Sequence, residues 1–128
     1  MKISSNHIND TNLNSYGLDV AKLIKESNYK ELSGKYGYAL SFGKKESEII
    51  RKDLEGALSS SGRNSVLDNE KPPIINIQYM KSNESKLIAI VECELPILRG
   101  AGNILVELVV AGKANDYHIS MEQISYQA

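Results

Sequence analysis

The chain has 128 residues, with 15 Lys and Arg against 16 Asp and Glu, one Cys, no Trp and 41% hydrophobic content, which fits one ordinary globular domain spanning residues 1–128. At this length roughly two thirds of the unfolded surface is buried on folding, so the core needs neither metal nor disulfide and Cys93 has no stapling role. A net charge of −1 without blocks of like charge excludes general phosphate-backbone binding, and the apolar runs 87–91 and 104–110 are too short to span a bilayer. Nucleic acid and membrane are therefore not expected partners.

The first fifteen positions are polar and lack the apolar stretch of a secretory signal. A cytoplasmic location is the expectation; a mature exported domain is the alternative, because a lone Cys suits both. From Ser15 to Ser27, Leu18, Ala21, Leu23 and Ile24 recur at helical spacing, with Asn14 or Ser15 as the cap. Asn28 followed by Glu31 reads as a second helix start, with Leu32, Tyr36 and Leu40 at four-residue intervals and Gly43 as the stop. Ile50, Leu54, Ala57 and Leu58 then give the clearest amphipathic helix, between Lys45 and Ser60.

The pattern changes after Ser59–Ser65, and Pro72-Pro73 forces an extended entry into the first β-rich run. Four such runs are predicted: Ile74–Met80, Lys86–Leu95, Asn103–Ala111 and Tyr117–Gln127. They are joined through Ser82-Asn83-Glu84, Arg99-Gly100-Ala101-Gly102 and Gly112–Asp116, short enough for antiparallel hairpins. Helices first and strands second define an α+β fold, with a helical part over 14–60 and a sheet part over 74–127. Alternation points Leu87, Ala89, Val91, Cys93 and Leu95 at the helices, together with Ile104, Val106, Leu108 and Val110. The opposite face then carries Ile88, Ile90, Glu92 and Glu94, Leu105, Glu107 and Val109, and His118, Ser120 and Glu122.

The order of elements across residues 14–126, with Tyr117-His118-Ile119-Ser120-Met121 in the place of a closing strand, resembles the nuclear transport factor two-like family, also described as cystatin-like. The resemblance implies N-terminal helices packed on a curved, cone-like, four-stranded antiparallel sheet. That family includes isomerases, hydratases, small-molecule binders, secretion components and structural modules, so fold alone does not choose a function. Its enzymes work through an acid or base inside the cone, whereas the inward strand positions here are Leu, Ala, Val, Cys and Ile. No catalytic residue is carried over.

Other chemistry has little support in the sequence. Strand parity separates Cys93 from His118, which argues against a thiolate–imidazole pair. Asp116 and His118 supply only part of a metal site, and His7 is the sole other histidine. Gly34, Gly37 and Gly43 fit neither phosphate-loop spacing, and the Arg99–Gly102 stretch reads as a hairpin turn rather than an anion nest. Neither cofactor nor metal is expected. Tyr is seven of the eight aromatics, and Tyr36 and Tyr38 cannot share one helix face, which would leave at least one near the surface or the cone mouth.

What remains is the outer face, where Glu92, Glu94, Glu107 and Glu122 are interspersed with Ile88, Ile90 and Leu105, with His118 at its margin. Apolar area for affinity combined with carboxylates for steering suits a basic protein partner. The second half supports this reading, with six basic and eight acidic groups in residues 63–128 against nine and eight before them. The expected function is thus a non-enzymatic protein-binding domain, of the kind bacterial immunity proteins provide when they neutralise basic nuclease toxins. Two alternatives stand beside it: a ligand-binding or isomerase-like cone pocket using Tyr36, Tyr38 or Tyr79, and a homodimeric structural module paired through the same face.

Overall fold

A computed structural model describes residues 1–81 and 86–128. The Ser82-Asn83-Glu84 connection lies outside the described residues. The elements in chain order are β1 (Lys2–Ile3), α1 (Asp10–Lys25), α2 (Tyr29–Tyr36), α3 (Glu46–Ser61), β2 (Val66–Leu67), β3 (Ile74–Tyr79), β4 (Leu87–Leu98), β5 (Asn103–Lys113) and β6 (Asp116–Gln127), with short 3-10 turns at Ser5–His7 and Ala39–Ser41. The fold is α+β, with three helices packed on an antiparallel sheet.

The helices differ from the sequence expectation at their ends. α1 starts at Asp10 rather than Ser15, because the Asn9 side chain accepts a hydrogen bond from the Asn12 amide at 2.9 Å and caps the first turn. Asn28 caps α2 as expected: its side chain accepts from the Glu31 amide and donates to the Glu31 carboxylate at 2.8 Å. α2 stops at Gly37, not Gly43, since Gly37 takes φ +66° and sends the chain out of the helix. Leaving there lets both Tyr36 and Tyr38 turn inward, 2% and 4% exposed, so neither takes the surface position expected for one of them. α3 follows its predicted span closely, burying Ile50, Leu54 and Ala57.

Among the described residues the sheet has six strands rather than four and is open, in the order β1-β6-β5-β4-β2, with β3 also pairing β4. The two extra strands have two residues each, so they fall outside the predicted 14–60 and 74–127 parts. β1 pairs with β6 through Lys2–His118 and Ile3–Tyr117; β2 pairs with β4 through Val66–Leu98 and Leu67–Ile97. β2 and β3 thus occupy the same edge of the long β4, and Asp68 shapes the crossover between them by accepting from the Glu70 and Lys71 amides.

Alternation places the core as expected over most of β4 and β5. Ala89, Val91, Cys93, Leu95, Ile104, Val106, Leu108 and Val110 are all fully buried with Leu13, Val20 and Leu32 from the helices. The parity fails at one end of β4. The register jumps between Leu87, opposite Ala111, and Ala89, opposite Val110, so Ile88 is a bulge residue that packs against the core while Leu87 shares the side of Ala111. A second jump between Glu107 and Leu108 makes Glu122 the extra residue of β6, beside Gln123 opposite Glu107.

Candidate functional site

Three cross-strand rows build the sheet face turned away from the helices. Asn76, Glu92, Glu107 and Gln123 form the central row, with Glu122 in the bulge beside it. Gln78, Ile90, Val109 and Ser120 form the row on one side; Ile74, Glu94, Leu105 and Ser125 form the row on the other. Directly opposed residues on one face lie within about 5.5 Å at Cβ, so Glu92 and Glu107 are like charges in direct juxtaposition, an arrangement that weakens a sheet. Burial raises the Glu107 carboxyl above the usual carboxylate range, and the neighbouring charges of Glu92 and Glu122 push it the same way. Among the described residues none of Glu92, Glu94, Glu107 and Glu122 forms an ion pair, and no three His, Cys, Asp or Glu side chains converge in a metal-binding geometry.

The remaining predicted face residues are unevenly placed. Ile90 and Val109 are half-buried neighbours next to the acidic row. Leu105 lies on this face by register yet is only 3% exposed, so it is shielded ground rather than an available anchor. Ile88 leaves the face at its bulge. His118 sits opposite Ala111, four residues along β5 from Glu107 or about 13 Å at strand rise, where its Nε2 meets Asp116 Oδ1 at 2.9 Å. Asn76, Gln123 and the 52%-exposed Ile74 belong to the face and are absent from the sequence expectation. Alternation in β3 would have found Asn76 and Ile74, whereas Gln123 needs knowledge of the bulge.

The three tyrosines of the pocket alternative each clasp a different aspartate. The Tyr36 hydroxyl donates to Asp19 of α1 at 2.7 Å, that of Tyr38 to Asp53 of α3 at 2.6 Å, and that of Tyr79 to Asp10 at 2.6 Å. Burial and the aspartate bond raise the Tyr36 and Tyr38 hydroxyls above the usual phenol range, while the bond to Asp10 raises Tyr79 to about 12. These are ties between elements, and their hydroxyls do not meet. A surface groove of about 400 Å³ lies between α1 and the crossover, lined by Leu18, Ala21, Lys22, Lys25, Asn69 and Pro73 among others, and none of the three tyrosines borders it.

Cys93 is fully buried, its Sγ 3.6 Å from the Gly17 carbonyl oxygen, and burial pushes the thiol up to about 12. It faces the helices while His118 faces away, so the two form no nucleophilic pair. Among the described residues no helix is long and apolar enough to cross a membrane. No family model, curated protein or solved structure matches the chain.

Proposed function

We propose that the chain is a non-enzymatic protein-binding domain whose outer sheet face captures a basic partner, as an immunity protein captures a nuclease toxin in the bacterial cytoplasm. The observation that supports this reading is the central row, in which Glu92 and Glu107 oppose each other with Glu122 alongside and no cation among the described residues to offset them. A fold that keeps this repulsion loses stability in isolation and regains it when a partner's Lys or Arg groups enter the row. Ile90 and Val109 beside the row supply apolar contact, and Glu94 extends the acidic field. The element order is compatible with the nuclear transport factor two-like architecture. Bulges such as those at Ile88 and Glu122 are devices that bend a strand, which supports a curved sheet.

The test begins with the protein encoded next to this one in the genome. That neighbour should be basic, toxic when expressed alone and neutralised by the wild-type chain. E92K/E107K should slow association and flatten its salt dependence without unfolding the domain, whereas Ile90→Ala should mainly speed dissociation. Binding indifferent to both changes, or a neighbour without toxicity, overturns the reading.

A further inference from the structure

β3 is an edge strand. Among the described residues its only strand partner is β4, and the register between them runs from Ile74–Glu94 to Tyr79–Ala89 without a bulge. The Met80 amide donates to the Ile88 carbonyl across this pair at 2.8 Å. In an antiparallel ladder bonding residues alternate, so Gln78, Asn76 and Ile74 also turn their backbone groups toward β4, and Ile75, Ile77 and Tyr79 turn theirs away from it. Among the described residues nothing else hydrogen-bonds to those outward groups. The strand reads Ile-Ile-Asn-Ile-Gln-Tyr, so it has neither a charge nor an internal proline; Pro72 and Pro73 precede it and leave its six positions intact. Natural edges are normally blunted by such devices. A groove of about 580 Å³ runs along the edge, lined by Ile75, Asn76 and Ile77 and, on the helix side, by Asp10, Thr11, Asn14 and Ser15.

We infer that β3 pairs antiparallel with β3 of a second copy of this chain, joining two sheets edge to edge into one. The two-fold axis passes through Ile77. In that register Ile77 meets Ile77 of the other copy, Ile75 meets Tyr79 and Tyr79 meets Ile75, so all three outward-turned residues of each strand find both of their backbone bonds. Asn76 and Gln78 face each other on the outer side as complementary amides, while Ile75 and Ile77 extend the apolar side. The self-complementarity is what selects a second copy. The strand carries no charge that would select a foreign chain, and the helix wall of the groove is short and polar, with Asp10 already held by Tyr79. Charge does not oppose the pairing. The two Glu92 side chains would be three strand spacings apart, about 14 Å, beyond the screening length at physiological salt. The pairing does not rest on the face reading: it uses the edge, where the central row ends in Asn76, and leaves Glu92, Glu107 and Glu122 uncovered.

Sedimentation velocity over a wide concentration range, on the full chain and two double variants, tests it. The wild type should show a reversible monomer–dimer equilibrium. N76K/Q78K sets lysine against lysine at both cross-copy pairs and should sediment at the mass of one chain; N76K/Q78E sets lysine against glutamate at both and should retain the dimer. Both positions are exposed, and circular dichroism checks that each variant is folded. Amide exchange of the wild type adds a readout free of substitution: Ile75, Ile77 and Tyr79 should gain protection as concentration rises. A wild type that stays monomeric, a dimer that survives N76K/Q78K, or one that N76K/Q78E abolishes would overturn this pairing. So would outward amides whose exchange ignores concentration.

Discussion

At the scale of single residues, two positions hold energy that substitution should release. Phe42, the chain's only Phe, is 81% exposed and adopts φ +50°, a left-handed conformation that a bulky residue occupies at a cost of about 1 kcal/mol. Phe42→Asn should raise stability by up to about 1 kcal/mol, read as a higher denaturation midpoint, because Asn tolerates this conformation and little packing is lost. The second is Glu107, whose proton is held more tightly in the folded than in the unfolded chain. An acid of that kind favours folding at low pH, and the benefit is lost as pH rises from the ordinary value of 4.5 through the raised folded value. Glu107→Gln should therefore be more stable than wild type at neutral pH by about a few tenths of a kcal/mol. The advantage should fade as pH falls below the carboxylate range; urea unfolding at pH values on either side of that range would show it, and a gap that widens in acid would contradict the assignment.

At the scale of elements, the seat of α1 on the sheet is set by Gly17. A Cβ there would stand 3.0 Å from Ile75 Cδ1, 3.1 Å from Ile75 Cγ2 and 3.3 Å from Cys93 Sγ, so the helix lies as close to β3 and β4 as a bare backbone allows. Gly17→Val should push α1 off the sheet and cost about 1–3 kcal/mol, measurable by chemical denaturation. Much of this level could be read from the sequence. Val91, Cys93, Val106 and Leu108 are fully buried and each has a glutamate beside it in sequence, Glu92, Glu94 or Glu107, so a two-residue period is the direct imprint of a strand with one buried face. The start of α1 was hidden because Asn9-Asp10-Thr11-Asn12 uses for capping the same residue types that loops use. β1 and β2 left no imprint because two residues have no period; they are strands only through distant partners. The bulge at Ile88 was invisible for a related reason, since one extra apolar residue in an apolar run leaves the composition unchanged and still reverses the side on which Leu87 lies. The acidic row was legible as a set of outward glutamates, but the direct opposition of Glu92 and Glu107 is a matter of register between strands, which a single strand's sequence does not encode.

At the scale of the whole molecule, the core is continuous from α1 through the sheet to α3, and Cys93 lies within it. Its thiol should react with a neutral-pH alkylating reagent far more slowly than an exposed thiol, and the rate should climb with denaturant in step with unfolding; rapid labelling of the native chain accompanied by loss of partner binding would reopen a chemical role. The route of the chain through this core has a consequence for time rather than for stability. β3 to β6 form a meander of sequence neighbours, whereas β1 reaches β6 across nearly the full chain, the Met1 amino group donating to the Ile119 carbonyl at 2.8 Å over a separation of 118 residues. Closing so long a loop carries an entropic cost that two ladder positions cannot offset until the meander and helices have brought the ends together. β1 is thus the last strand to zip and the first to fray, a latch on the β6 edge whose opening would leave the rest of the sheet standing.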